Sequence, residues 1–274
     1  MHQAGIWTSY LIDQTPEEMV KTFAAKGWNH LEFSDEHGKA LLDRGGAPEA
    51  VGAQLRRFAE GEGVFFPQGH LWLVADLAAQ DGGKSLDLLK RWLDLYGALG
   101  IQAAVLHPGA GELQRSGASP EAVFEARTKA LGILTAHLGN APLRIALENI
   151  PGLAPRIDDL IPLVDSVGEA HVGICLDTGH LHLGKGDPAD FVQRAGRRLI
   201  ALHIADNEGQ SDQHLMPYGR GTVDWKAFAA AVKKIGYAGL WNLEIPGENR
   251  CPLPIRLMKL DYYKKAMEYM MGEV

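Results

Sequence analysis

Short apolar runs alternate with longer amphipathic stretches along the whole chain. The runs are Gln3–Thr8, His30–Ser34, Val64–Gln68, Ala103–His107, Arg144–Asn149, Val172–Asp177, Leu199–Ala205 and Gly239–Ile245. Each is apolar on both faces, as a strand must be in a parallel sheet covered on both sides. Between them the apolar spacing turns helical: Leu86, Leu89, Leu93 and Tyr96 share one face of a segment from Ser85 to Leu99. Thr15-Pro16, with Glu18 three residues after the cap, predicts a helix opened by a capping box. Ser119-Pro120 and Asp187-Pro188 open helices in the same way. Pro48–Glu60, Ile157–Val167, Trp225–Ile235 and Ile255–Met271 complete the series. Eight strands, each followed by a helix and with no polar linker, predict an α/β chain folded as one (β/α)8 (TIM) barrel domain over 1–274. An open doubly wound sheet would carry a glycine-rich phosphate turn after its first strand. Ile6-Trp7-Thr8-Ser9-Tyr10 contains none.

Composition narrows the class without changing it. The chain has 274 residues, 46% hydrophobic and 22% charged, which suffices for a well-buried core. A net charge of −7 repels phosphate backbones and counts against nucleic acid as the main partner. The two cysteines, Cys175 and Cys251, lack a CxxC or CxH neighbour, so reduced thiols are expected rather than a disulfide or a thiolate metal site. Met1-His2-Gln3 has no basic lead-in or apolar core of a signal peptide, and no run is long enough to span a bilayer. A soluble cytoplasmic protein without a membrane partner is expected.

The chemistry of such a barrel gathers at the carboxyl ends of its strands, where the βα loops converge. Those ends carry Glu32, His70, His107, Glu148-Asn149, Asp177-Thr178-Gly179-His180, His203 with Asp206, and Glu244. Taken singly, a strand-end histidine is more often a hydrogen-bonded structural group, and a glutamate a cap or ion-pair partner. Taken together, carboxylates crowded at one mouth repel each other unless a cation compensates them. Glu148, Asp177, His203 and Glu244 come from four consecutive strands and offer hard oxygens with one nitrogen. That set suits Mn2+, Mg2+, Co2+ or Zn2+.

Six motifs follow in order: Ala-Val-Leu-His-Pro-Gly (104–109), Ala-Leu-Glu-Asn (146–149), Cys-Leu-Asp-Thr-Gly-His (175–180), His-Ile-Ala-Asp-Asn (203–207), Asp-Gln-His (212–214) and Gly-Arg-Gly-Thr-Val-Asp-Trp (219–225). On these residues the chain resembles the xylose-isomerase-like barrels, in particular the sugar phosphate isomerase/epimerase group that includes ketose 3-epimerases and endonuclease IV. The resemblance implies a sugar isomerase or epimerase with one divalent metal ion held by Glu148, Asp177, His203 and Glu244. It also implies that Glu148 and Glu244 are the catalytic acid/base pair. His180 resembles a substrate-contacting histidine, and Arg220 stands in, loosely, for an arginine that holds substrate hydroxyls. His70, His107, Asp212 and His214 would line the sugar pocket. An additional metal could sit at His70/His107 or at His180/Asp212/His214.

The same resemblance supplies a rival. Endonuclease IV holds three zinc ions with nine side chains, whose counterparts are His70, His107, Glu148, Asp177, His180, His203, Asp212, His214 and Glu244. The acidic charge and the acidic stretch Ser34-Asp35-Glu36-His37-Gly38, taken as a loop, speak against a DNA-gripping enzyme. A third alternative is a sugar-binding barrel without turnover. Among remaining residues, Trp7, Trp72 and Phe66 either stack on a sugar or fill the core. Glu32 hydrogen-bonds a ligand imidazole or a substrate hydroxyl, and Asn149 and Asp206 support the site from behind. Asp35-Glu36 and Glu17-Glu18 read as solvated charge, Trp225 and Trp241 as packing. Met267, Met270 and Met271 pack the last helix or form an oligomer contact, and a homo-oligomer stays open. With no phosphate cradle evident, a free sugar is preferred over a sugar phosphate.

Overall fold

The structure is a computed structural model and describes residues 3–272. Met1 and His2, part of the amino-terminal stretch read above for a signal sequence, lie outside the described residues. Eight strands form: β1 (Gln3–Trp7), β2 (His30–Phe33), β3 (Phe65–His70), β4 (Ala103–Leu106), β5 (Arg144–Glu148), β6 (Val172–Asp177), β7 (Leu199–His203) and β8 (Leu240–Leu243). All neighbours pair in parallel in the order β7-β6-β5-β4-β3-β2-β1-β8. The ring closes where β7 meets β8 at the parallel bridge Ile204–Leu243. There the Ile204 N–H donates to the Asn242 carbonyl at 2.8 Å, and the Glu244 N–H donates to the Ile204 carbonyl at 3.1 Å. The expected (β/α)8 barrel is the observed one.

Alternate strand residues divide between two layers. Ala104 and Leu106 join the large apolar layer packed against the helices, while Ala103 and Val105 form a small inner cluster with Ala146, Cys175 and Ala201. Several helix starts follow their sequence signals. Thr15 Oγ1 accepts from the Glu18 N–H at 3.3 Å while Glu18 Oε2 accepts from the Thr15 N–H at 2.9 Å, a complete capping box. Ser119 caps the helix Pro120–Leu138, and Asp187 caps Pro188–Ala195. Among the described residues no helix is long and apolar enough to cross a membrane. Cys175 and Cys251 are both free.

The structure corrects three readings. β3 runs on to His70, so this histidine is a strand residue and does not lie beyond the strand. The acidic stretch after β2 is a helix, Asp35–Leu42, capped by Ser34; Gly38 is there because a Cβ would sit 2.2 Å from the Trp92 ring. Asp35 is accordingly buried, not solvated. Met267, Met270 and Met271 are buried in the core, which settles them as packing of the last helix. Trp72 stacks on Trp92 and Phe66 packs edge-on against Phe33, so both serve the core.

Candidate metal centre

Strand register brings the polar residues together. Asp177 and His203 are Cα partners across β6 and β7, and Glu148 on β5 pairs with Cys175 beside them. Glu244 follows β8 directly and is held by its N–H bond to Ile204. Because every strand runs the same way, the ends of β5 to β8 aim four side chains at one point. Ligand atoms of Glu148, Asp177, His203 and Glu244 all lie within 4.8 Å of one another, and the four residues are buried. His203 Nδ1 is 3.3 Å from Glu148 Oε1 and 3.2 Å from Glu244 Oε2.

Two further groups flank this one. His70 Nε2 and His107 Nε2 approach Glu148 Oε2 at 3.3 and 3.4 Å. On the other side His180 Nδ1 lies 3.1 Å from Glu148 Oε1, and Asp212 Oδ2 bridges His180 Nε2 and His214 Nε2 at 3.1 and 3.2 Å. Each flanking trio also has its ligand atoms within 4.8 Å. Local folding sets these positions. Asp177 caps the short helix Thr178–Leu183 through Oδ1, which accepts from the His180 N–H at 2.5 Å and thereby seats His180. Asn149 grips the Asp177 backbone from both sides, at 2.9 and 2.8 Å. Asp206 accepts from the Trp225 indole at 2.8 Å and the Val223 N–H at 3.1 Å, anchoring the loop that carries Asp212 and His214.

Carboxylates and imidazoles are interleaved in this cluster. Glu32, Glu148, Asp177, Asp212 and Glu244 face His70, His107, His180, His203 and His214. Burial alone would raise the Glu148 carboxyl, but His203, His107 and His180 outweigh it and hold it well below the usual range. Glu244 is likewise lowered against its burial, by His203 and His214. Burial opposes charge on His180, yet Asp177, Asp212 and Glu148 push it up to about 12; His70 rises to about 9 against its own burial, chiefly through Glu148. Asp177 is pushed up to about 7 by burial and by Glu244 and Glu148, against the pull of His180.

The donor set fits a divalent cation. Asp177 Oδ2, His203 Nδ1 and Glu244 Oε2 are buried and have no hydrogen-bond partner among the described residues. Three lone-pair donors without partners, converging in one buried group, carry a desolvation penalty that a bound cation would relieve. Three carboxylates with one imidazole suit Mn2+, Mg2+, Co2+ or Zn2+.

Not every residue singled out in the sequence joins the centre. Arg220 stands apart with its side chain 68% exposed, 3.7 Å from Glu208. Trp7 ends β1 in a buried position with its indole N–H unpartnered. Glu32 is fully buried and contacts His203 and Asn242. Sequence reasoning passed over Asn242 and named Thr178 at a strand end without giving it a role. Asn242 lies two residues before Glu244, and strand alternation would have placed both on one face. Thr178 Oγ1, 2.7 Å from the Ala205 carbonyl, ties the end of β6 to β7.

The comparisons agree with this architecture. A solved structure of D-psicose 3-epimerase with D-tagatose, from Clostridium cellulolyticum H10, superposes with a TM-score of 0.81 over 98% of this chain and 99% of that one. Sequence identity is 16%, so this likeness speaks for the fold alone. In sequence the chain is 30% identical over 186 residues to protein y4fM of Sinorhizobium fredii, covering 66% of this chain and 57% of that protein. It is 34% identical over 87 residues to a D-psicose 3-epimerase of Enterocloster bolteae, 32% of this chain and 27% of the relative. A probable endonuclease 4 of Nitratidesulfovibrio vulgaris is 30% identical over 142 residues, 49% of each chain. The chain thus spans less than two thirds of the length of each of these three sequence relatives. The family model for xylose isomerase-like TIM barrels matches residues 20–272, and to that family the chain belongs.

Proposed function

We propose that this protein is a divalent-metal-dependent sugar isomerase or epimerase that moves a proton on a free ketose or a close polyol relative. The observation that carries the reading is the group Glu148, Asp177, His203 and Glu244, three of whose donor atoms are buried without partners. A sequence relative that is a D-psicose 3-epimerase supports it. A cation held there would supply the positive charge that makes a C–H beside a carbonyl acidic. The remaining chemistry belongs to the chain. Glu148 and Glu244 arise from β5 and the end of β8, and each has a carboxylate oxygen within 3.3 Å of His203 Nδ1. A sugar carbon seated between them offers one face to each, so one carboxylate takes a proton and the other returns it. Substrate configuration decides which of them starts. His180 and His214, both bonded to Asp212, and His70 and His107, both beside Glu148, would line the pocket around the sugar. Trp7 offers an apolar face and an unpaired N–H.

A second reading has its own observation. The trios His70/His107/Glu148 and His180/Asp212/His214 could each hold another ion, which would make a trinuclear phosphodiesterase like the endonuclease 4 relatives. Elemental mass spectrometry of protein purified without chelators separates the two. About one metal per chain with turnover on a ketose panel supports the proposal, whereas about three zinc ions with cleavage of abasic DNA supports the second reading. Metal binding without turnover on either substrate class would leave a sugar-binding barrel.

A further inference from the structure

Behind the candidate metal centre lies a buried contact that spans the barrel interior. Glu32 on β2 and Asn242 on β8 are both fully buried. His203 Nε2 donates to Glu32 Oε1 at 2.8 Å, and the Asn242 amide donates to the other carboxylate oxygen. Both oxygens of Glu32 are therefore engaged, and neither is open to a substrate. A carboxylate can only accept, so the proton on the His203 ring that faces it stays on Nε2. The opposite ring nitrogen, Nδ1, is the buried atom left without a partner beside Glu148 and Glu244. Rotation of the ring is restricted as well. His70 stacks on it at 5.6 Å between centroids and 24° between planes. Gln68 donates to the preceding carbonyl, Leu202, at 3.2 Å, and Thr178 donates to the His203 carbonyl at 3.3 Å.

Resting on the function proposed above, we propose that Glu32 and Asn242 form a cross-barrel clamp that fixes His203 with its Nδ1 lone pair toward the cation. Glu32 is then a positioning residue and not a substrate contact. Without the carboxylate, a neutral imidazole is free to carry its proton on Nδ1, which turns an N–H toward the ion. A negative partner behind the ring also raises the basicity of the nitrogen in front.

The test is a Co2+ titration of chelator-stripped protein, read by calorimetry and by the visible absorption of the bound ion. Wild type is compared with Glu32→Gln and with Glu32→Asp, which keeps the charge but withdraws it by one methylene. The clamp predicts Co2+ affinity about 10–100-fold weaker in Glu32→Gln with a shifted absorption envelope, and an intermediate loss in Glu32→Asp. Melting temperatures of the metal-free proteins control for a merely structural effect, and Glu32→Asp carries the test if Glu32→Gln does not fold. Unchanged affinity and spectrum in the variants, with wild type binding Co2+, overturn the clamp and leave the proposed function standing. A substrate-contact role would give that result together with a raised KM. No Co2+ binding by wild type overturns the proposed function and the clamp with it.

Discussion

At the scale of single residues, burial and neighbours set the charge of each group. Glu148 and Glu244 are kept ionised by imidazoles, so each can serve as a base at neutral pH. Glu148→Gln or Glu244→Gln should lower turnover by about 10²–10⁴-fold while partly keeping substrate binding. Steady-state kinetics on an accepted ketose check this, and near wild-type rates in both variants would remove the acid/base assignment. Asp35 offers a different test, of stability. Burial and the adjacent Glu36 carboxylate push it up from 3.8 to about 6. Its folded-state pKa is raised, so its contribution to stability is fully present below about pH 4 and is lost as pH rises through about 6. Asp35→Asn should therefore gain on wild type by up to about 3 kcal/mol across that window. Urea midpoints at pH 4 and pH 7 measure the difference, and a gap independent of pH would contradict it. The sequence could not supply this, because an acidic pair after a strand looks solvated until the fold covers it.

At the scale of elements, the strands and most helices were legible because their signals are local. Apolar runs marked the strands, and Thr15, Ser119 and Asp187 marked helix starts. Removing one such signal should have a local effect: Thr15→Ala should cost about 1 kcal/mol, read as a lower urea midpoint. The helix Asp35–Leu42 reads as a loop in the sequence although Ser34 and two acidic residues announce it, and Gly38 lies within it. Its reason is tertiary, the Trp92 ring lying against its backbone. Gly221 has a similar reason. A Cβ there would lie 2.1 Å from the Asp206 carboxylate that anchors the loop bearing Asp212 and His214. Gly221→Ala should displace that loop, costing about 1–3 kcal/mol and raising KM more than it lowers the rates set by Glu148 and Glu244. An unchanged KM would mean that the loop does not shape the substrate pocket.

At the scale of the whole molecule, parallel strands of one ring deliver their last residues to one mouth, so the polar strand ends could be read as one site before any distance was known. What the sequence left open depends on depth and reach. Glu32 falls at a strand end like the others and is buried as they are, yet both its oxygens are engaged by His203 and Asn242. Arg220 lies in the motif that follows Asp212 and His214 in sequence, and yet its side chain is 68% exposed beside Glu208. Neither distinction follows from spacing. The central claim is proton exchange on a sugar carbon by two glutamates beside a bound divalent cation. It is tested most directly by incubating the metal-loaded protein with a panel of free ketoses in D2O and following the sugars by NMR. Deuterium is expected at the carbon beside the carbonyl, with an epimer or isomer appearing, and both are lost on adding chelator or in Glu148→Gln and Glu244→Gln. Exchange that persists with chelator and in both variants, or no exchange on any ketose with the metal bound, would contradict it.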